Sequence, residues 1–417
     1  MRVLLTDGNE RVTLAAARSL VRAGHTVSVT AATRWSLAGV SRGVQHCVLG
    51  CDPLADPAGY VAELGRIARQ DRVEILLPTT DASMEAVLEY GTALPREVRT
   101  AAPDLATYRA ASDKAMMLEL GRRCGFEGPV SRVLATPGAK VRRELGAEDL
   151  FPAVIKPHRS VVTVQGTRRK LAVVPVADAV ACDAVLAALP CEAYPVLVQR
   201  RISGVGEGLF ALRWGGRVIA VFAHRRLREK PPSGGVSVYR ESIALTEELE
   251  RPAVRLLDAL DWQGVAMIEC KREAGTGRHV LMEVNGRFWG SLQLAIDAGV
   301  DFPALLMKCV AGENVPECRD YRVGVRSRWF WGDVDNLLLT LRDGPAGASS
   351  RSRVGAVRDF LLACMRQDRT EVWRWSDPLP FALETVRWFG LLTHSTAGAK
   401  PRSRAAPREC VPDSAVP

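Results

Sequence analysis

Two short runs on either side of residue 275 constrain this chain more than anything else in it. Val265-Ala266-Met267-Ile268-Glu269-Cys270 and Met282-Glu283-Val284-Asn285-Gly286-Arg287 are apolar runs carrying isolated acidic or amide side chains. Between them lies Arg272-Glu273-Ala274-Gly275-Thr276-Gly277-Arg278, a polar, glycine-containing connection that suits a β-hairpin. Successive side chains of a strand face opposite ways, so Glu283 and Asn285 share a face. Antiparallel pairing then predicts Ile268, Cys270, Met282 and Val284 on one face, with Glu269, Glu283 and Asn285 converging on the other. Hard oxygen ligands gathered this way suit Mg²⁺ (or Mn²⁺), which keeps waters and shares substrate phosphates with one or two carboxylates. Arg287 adds a planar fork matched to phosphate oxygens. Two plainer readings stand beside this one. Asn285-Gly286 is a common hairpin-turn signal, and alternating glutamates on a strand often form a solvated face.

The first hundred or so residues alternate strand and helix. Strands are expected over 2–6, 26–30 and 73–78, and helices over 12–23 and 60–69, a βαβ rhythm that implies a parallel, Rossmann-like sheet. Only Gly8 stands in the first turn, so the G-x-G-x-x-G fingerprint is missing and a dinucleotide is not expected. Asp81-Ala82-Ser83 falls just beyond the third strand, where such sheets bind ligands.

A new unit begins near Ala111. Asp113 can cap a helix over 114–123, which Gly125 stops. The run 151–157 reads as a strand ending in Lys156-Pro157, and 158–170 as a polar, basic, mobile loop. A strand is expected over 196–199, a tight connection at 204–208, and further strands over 209–213 and 217–224. His224 to Gly235 reads as a basic loop turned by Gly234-Gly235. No G-x-x-x-x-G-K-[ST] occurs, so this is not a P-loop protein.

The stretch from Gly264 to Pro303 resembles the metal-binding end of the ATP-grasp superfamily, whose members hold a nucleotide between two α+β subdomains. The resemblance extends over about residues 1–312 and is strongest from Val196 to Pro303. It implies that Glu269, Glu283 and Asn285 hold the metals and that Arg287 steadies the transferring phosphoryl group. It implies that Lys114 and Lys156 are the lid lysines that meet ATP phosphates, with Lys156 catalytic alongside Arg287. The hinge would be Gln199, Arg200 and Ile202, with Ile202 near the adenine edge and Glu207 accepting ribose hydroxyls. Arg226, Arg228, Ser233, Gly234 and Gly235 resemble the substrate-side loop of carbamoyl-phosphate-synthase-like members. Two features depart from the family pattern: Arg200 stands where glutamate is common, and the usual glycine-rich lid loop is replaced by a run from His158 to Gly166.

The resulting expectation is an α/β and α+β chain in four parts. Residues 1–112 form a Rossmann-like domain. Residues 113–312 form an ATP-grasp core, its lid spanning about 113–195 and its metal-binding subdomain about 196–312. A mostly helical, Trp-rich region follows over 313–393, and a disordered tail over 394–417. The activity implied is an ATP-dependent, ADP-forming ligase that activates a carboxylate as an acyl-phosphate and joins it to an amine, one of the two an amino acid. Bicarbonate activation and a non-catalytic nucleotide-binding module are the alternatives.

Composition sets the outer limits. The 417 residues carry 56 Lys and Arg against 47 Asp and Glu, a net charge of +9 that suits anionic ligands. The charge is spread along the chain without a basic block interleaved with aromatics, so nucleic acid is not expected. No apolar run reaches the roughly 20 residues a membrane span needs. The N-terminus enters a strand directly, and ten cysteines occur without a CxxC pair. A cytoplasmic protein with reduced thiols is therefore expected. A homodimer is allowed.

Overall fold

In the computed structural model, which describes residues 1–138, 150–159, 161–164, 167–344, 352–366 and 368–396, three sheets and a small hairpin organise the chain. The first sheet contains β1 (Arg2–Leu5), β2 (Thr26–Ala31), β3 (Val44–Val48), β4 (Ile75–Leu77) and β5 (Arg99–Thr100) in the order β3-β2-β1-β4-β5, all parallel. Its central strands are continuous apolar runs because helices cover both faces. The edge strands β3 and β5 carry no such run and were not expected from the sequence. Gly8 serves packing: a Cβ there would lie 2.6 Å from Val29 Cγ1. The strand order reverses between β1 and β4, and Asp81 opens a helix at that switch point.

The second sheet holds β6 (Ser131–Leu134), β7 (Ala153–Pro157), β10 (Val174–Val176) and β11 (Val196–Arg200), ordered β10-β7-β11-β6 and antiparallel throughout. The expected loop at 158–170 is instead largely a hairpin, β8 (Val161–Val164) with β9 (Thr167–Lys170), in which Val161 pairs with Lys170. β-Branched residues on β8 favour that ladder. Ser160, Gln165 and Gly166 of this stretch lie outside the described residues. Helix Lys114–Cys124 precedes the sheet. Asp113 caps it by accepting from the N–H groups of Ala115 and Met116, and Gly125 ends it at φ +105°.

The third sheet has seven strands: β12 (Gly204–Trp214), β13 (Arg217–Lys230), β14 (Val236–Ser242), β15 (Gly264–Glu273), β16 (His279–Asn285), β17 (Arg326–Arg328) and β18 (Arg369–Thr370), ordered β16-β15-β12-β13-β14-β17-β18. Three expectations change here. Residues 204–208 are the start of a strand, because ladder pairing to β15 extends back to Gly204. The basic run from His224 to Lys230 is strand as well, so only 231–235 turns. The C-terminal region is helical over Phe330–Asp343, Arg353–Met365 and Leu379–Thr396, yet it also adds β18 to the sheet edge. That last helix runs past residue 394, and 397–417 lie outside the described residues.

One face of the large sheet packs Phe210, Leu212, Phe222 and Met267 into a core shared with Val3, Leu5, Trp289 and Phe302. The opposite face packs Leu209, Ala211, Val221, Ile268 and Cys270 under helix Glu247–Ala259. Among the described residues no helix is long and apolar enough to cross a membrane. Eight of the nine described cysteines are free thiols.

Candidate active site

The register of β15 against β16 sets Glu269 directly opposite Glu283 and Met267 opposite Asn285. Directly opposed residues share a face, so both carboxylates and the carboxamide point the same way. A bulge after Glu269 makes Leu281, rather than Met282, the partner of Cys270. Leu281 therefore enters the core and Met282 does not, which corrects the expected apolar set. The extra residue preserves Glu283 on the acidic face while Leu281 stays buried. Asn285-Gly286 is not a hairpin turn. It ends β16, and Gly286 is needed because a Cβ would stand 2.5 Å from the Trp262 ring and 3.1 Å from Tyr108.

A polar network fixes these groups. Asn285 Nδ2 donates to Glu283 Oε1 at 3.1 Å, and Arg287 Nη2 donates to Asn285 Oδ1 at 3.2 Å. Arg287 also donates from Nε and Nη2 to the two carboxylate oxygens of Asp81, each at 2.8 Å. Arg226 Nη2 lies 2.5 Å from Glu269 Oε2, and its Nη1 donates to Glu229 at 2.9 Å. Burial pushes the Glu269 carboxyl above its usual range; Arg226 opposes this and Glu283 adds to it.

Lys156 sits on β7, facing this acidic pair across the gap between sheets. The residue is 9% exposed, and its side chain makes no hydrogen bond or ion pair among the described residues. Burial lowers its pKa, Glu283 raises it and Lys114 lowers it further. A largely buried cation with no direct partner is costly, so the position suits an anionic ligand. Lys114 is buried nearby, and its N–H donates to the His158 carbonyl at 3.1 Å. With Asp81, Glu283 and Asn285 it lines a small cavity of about 40 Å³.

Among the described residues no group of three His, Cys, Asp or Glu side chains could hold a metal alone. Two carboxylates and a carboxamide beside an unpaired buried lysine fit a divalent cation whose remaining ligands are phosphates and water. The donor set therefore suits Mg²⁺ bound together with a nucleotide.

A cleft of about 610 Å³ opens from the hinge on the same sheet face, lined by Arg201, Ile202, Arg226, Lys271, Leu337 and Phe360 among others. Gln199 is buried and donates to Ser131 Oγ at 3.2 Å. Arg200 is half-exposed, 3.9 Å from Glu273. The Ile202 carbonyl accepts from Lys271 Nζ at 3.0 Å. Lys271, two residues beyond Glu269 on the same face, was missed; the alternation that selected Glu269 selects it too.

Of the other expected site residues, Arg226, Arg228 and Ser233 line the cleft, and Glu207 does not. Glu207 pairs with Cys270 while Gly208 pairs with Glu269, so Glu207 points to the opposite, helix-covered face. There it meets His279 Nε2 at 2.8 Å, away from the cleft. The expected basic loop also changes character. Arg226 is held by Glu269 and Glu229. Arg228 makes a bidentate pair with Asp333 at 2.6 and 2.7 Å, which anchors helix Phe330–Asp343. The Ser233 carbonyl accepts from Arg201 Nη2 at 2.6 Å. Gly234, at φ +128°, and Gly235, where a Cβ would lie 2.3 Å from the Lys230 carbonyl oxygen, shape the turn and do not line the cleft.

Comparison with known proteins bears on the fold. Residues 194–331 match the family model described as ATP-grasp in the biosynthetic pathway with Ter operon. No curated protein matches the sequence. Among solved structures, L-amino acid ligase from Bacillus licheniformis is similar at TM-score 0.55 and 16% identity, covering 74% of this chain and 73% of that one. N5-carboxyaminoimidazole ribonucleotide synthetase from Thermus thermophilus gives 0.56 and 16%, covering 78% and 81%. The biotin carboxylase–β,γ-ATP complex from Campylobacter jejuni gives 0.58 and 14%, covering 78% and 73%.

Proposed function

We propose, from the ATP-grasp fold that this chain carries, that it is an ADP-forming ligase joining a carboxylate to an amine. The observation that carries the reading is the opposition of Glu269 and Glu283 on one sheet face, with the unpaired, buried Lys156 facing them from the other sheet. Glu269, Glu283 and Asn285 would hold Mg²⁺, which when bound with ATP neutralises charge on the β- and γ-phosphates. Arg226 and Asn285 orient the two carboxylates. Lys156 and Lys114 offer positive charge from the lid side, and the hinge around Ile202 would meet the base.

The chemistry needs no protein nucleophile. An oxygen of the substrate carboxylate attacks the γ-phosphorus, the β–γ bridging P–O bond breaks and ADP leaves. The amine nitrogen then attacks the acyl carbon, and phosphate departs as the amine loses a proton. Arg287, fixed by Asp81, would bear charge on the oxygens in transfer. Positioning and fixed charge supply the catalysis.

ADP release, measured over a matrix of carboxylates and amines with bicarbonate as an added acid, tests the reading. The expected result is ADP formation that requires one acid and one amine together. ADP formation with bicarbonate alone, or none with any pair, would contradict it.

A further inference from the structure

The small cavity beside Glu283 lies where three parts of the chain meet. Asp81 and Tyr108 of the first domain, Lys114 and Arg159 of the lid, and Glu283 and Asn285 of β16 are among its walls. Its volume of about 40 Å³ takes about three waters, which is room for one phosphoryl group and not for a nucleoside.

The charged groups in its walls are committed with one exception. Asp81 accepts from Arg287, and Glu283 accepts from Asn285. Glu85 accepts from Arg109 Nε at 3.2 Å. The exception is Arg159. Its Nε is buried without a hydrogen-bond partner, and its guanidinium makes no ion pair among the described residues. Buried polar groups are ordinarily satisfied, and the arginine fork matches the oxygens of a phosphoryl group.

The backbone on either side of Arg159 is held. His158, immediately before it, donates its N–H to the Pro195 carbonyl and accepts from the Lys114 N–H, both at 3.1 Å. Farther on, the β8–β9 hairpin docks on the first domain. The Arg168 N–H donates to the Leu54 carbonyl at 3.2 Å, and Arg168 Nη2 donates to Glu89 Oε2. Arg159 thus reaches the cavity from a segment tied to the lid sheet at one end and to the first domain at the other.

The cavity shares no lining residue with the cleft at the hinge. The acidic pair bridges the two: Glu269 is bound to Arg226 in the wall of the cleft, and Glu283 is in the wall of the cavity. A nucleotide with its base at the hinge passes Glu269 first and ends at Glu283.

We infer that Arg159 binds the terminal phosphoryl group of the nucleotide, which occupies this cavity. The inference rests on the ligase reading for the presence of a triphosphate. It gives a phosphate-binding role to the segment that stands in place of a glycine-rich lid loop.

Calorimetry on the full chain with Mg²⁺ tests it, with ADP and the β,γ-imido analogue of ATP as probes. The analogue binds the wild type about 10-fold more tightly than ADP. Arg159→Gln weakens the analogue about 10-fold and leaves ADP within about twofold. Arg159→Lys, which keeps the charge and loses the fork, lies between the two. An unchanged ADP affinity separates the loss of one phosphate contact from damage to the whole site. Unchanged analogue binding in Arg159→Gln, an equal loss for ADP and the analogue, or equal wild-type affinity for both would overturn the inference and leave the ligase reading in place. Binding of neither nucleotide by the wild type would defeat both. Loss of the analogue in Arg159→Gln, with no ADP formed by the wild type from any acid and amine, would support the site and defeat the ligase reading.

Discussion

Asp81 grips Arg287 through both of its carboxylate oxygens, at 2.8 Å each, and so ties the end of β16 to the switch point of the N-terminal sheet. Tyr108 adds a hydrogen bond to Asp81 at 3.2 Å. Burial works to raise the Asp81 pKa, but Arg287 more than offsets it and the net direction is down. Asp81→Asn leaves a half-buried guanidinium without its bidentate counter-charge, which costs on the order of 1–3 kcal/mol. Chemical denaturation should show that loss. The double variant Asp81→Asn/Arg287→Gln should recover part of it, and strictly additive losses would mean that the pair is not coupled.

Lys156 gives a prediction of opposite sign. Its largely buried side chain has no direct partner among the described residues, so removing the charge relieves a desolvation cost. Lys156→Met should stabilise the nucleotide-free protein by about 1–2 kcal/mol. The same variant should lose most of the rise in Tm that MgATP gives the wild type through binding linkage. A variant that is destabilised yet keeps its full nucleotide response would show that Lys156 is structural.

Glu384 sets a pH dependence. Burial pushes its carboxyl up to about 7, against a partial offset from the Trp329 N–H. Between the ordinary carboxyl range and pH 7 the folded protein keeps a proton that the unfolded chain has lost. Stability therefore falls as pH rises through that window, and the full penalty applies above it. The penalty is on the order of 2–3 kcal/mol. Glu384→Gln should be more stable than wild type at pH 8 and equal to it at pH 4, as read from denaturation midpoints. A parallel pH dependence in the two proteins would contradict the assignment.

Gly286 is a steric requirement. Trp262 is fully buried and cannot move away, so the methyl of Gly286→Ala must displace backbone between Asn285 and Arg287. Overpacking of this kind costs about 1–3 kcal/mol. The turnover loss should exceed that of an equally destabilising change in the distant lid core, such as Val198→Ala. Equal losses would mean that the displacement does not reach the site.

The strand pairing that carries the acidic face was legible because period-2 alternation survives in Val265–Cys270 and Met282–Asn285. The bulge was not, since one extra residue leaves no mark in an alternating pattern. Glu207 was misplaced for a related reason: its face depends on which residue of β15 it opposes, and only the ladder fixes that. The parallel sheet showed in apolar runs such as Ile75–Leu77, while β17 and β18 are too short and polar to signal a strand. The arginines of β13 read as a basic loop because their acidic partners, Asp333 and Glu269, lie 105 and 43 residues away in sequence.

The account rests on Glu269 and Glu283 acting together as a metal–nucleotide site. Calorimetric titration of ATP into wild type and Glu283→Gln, each with Mg²⁺ and with excess EDTA, addresses it directly. Wild type should bind ATP at least 10-fold more tightly with Mg²⁺ than without, and Glu283→Gln should lose that difference while remaining folded. An equal Mg²⁺ dependence in both proteins would contradict the assignment.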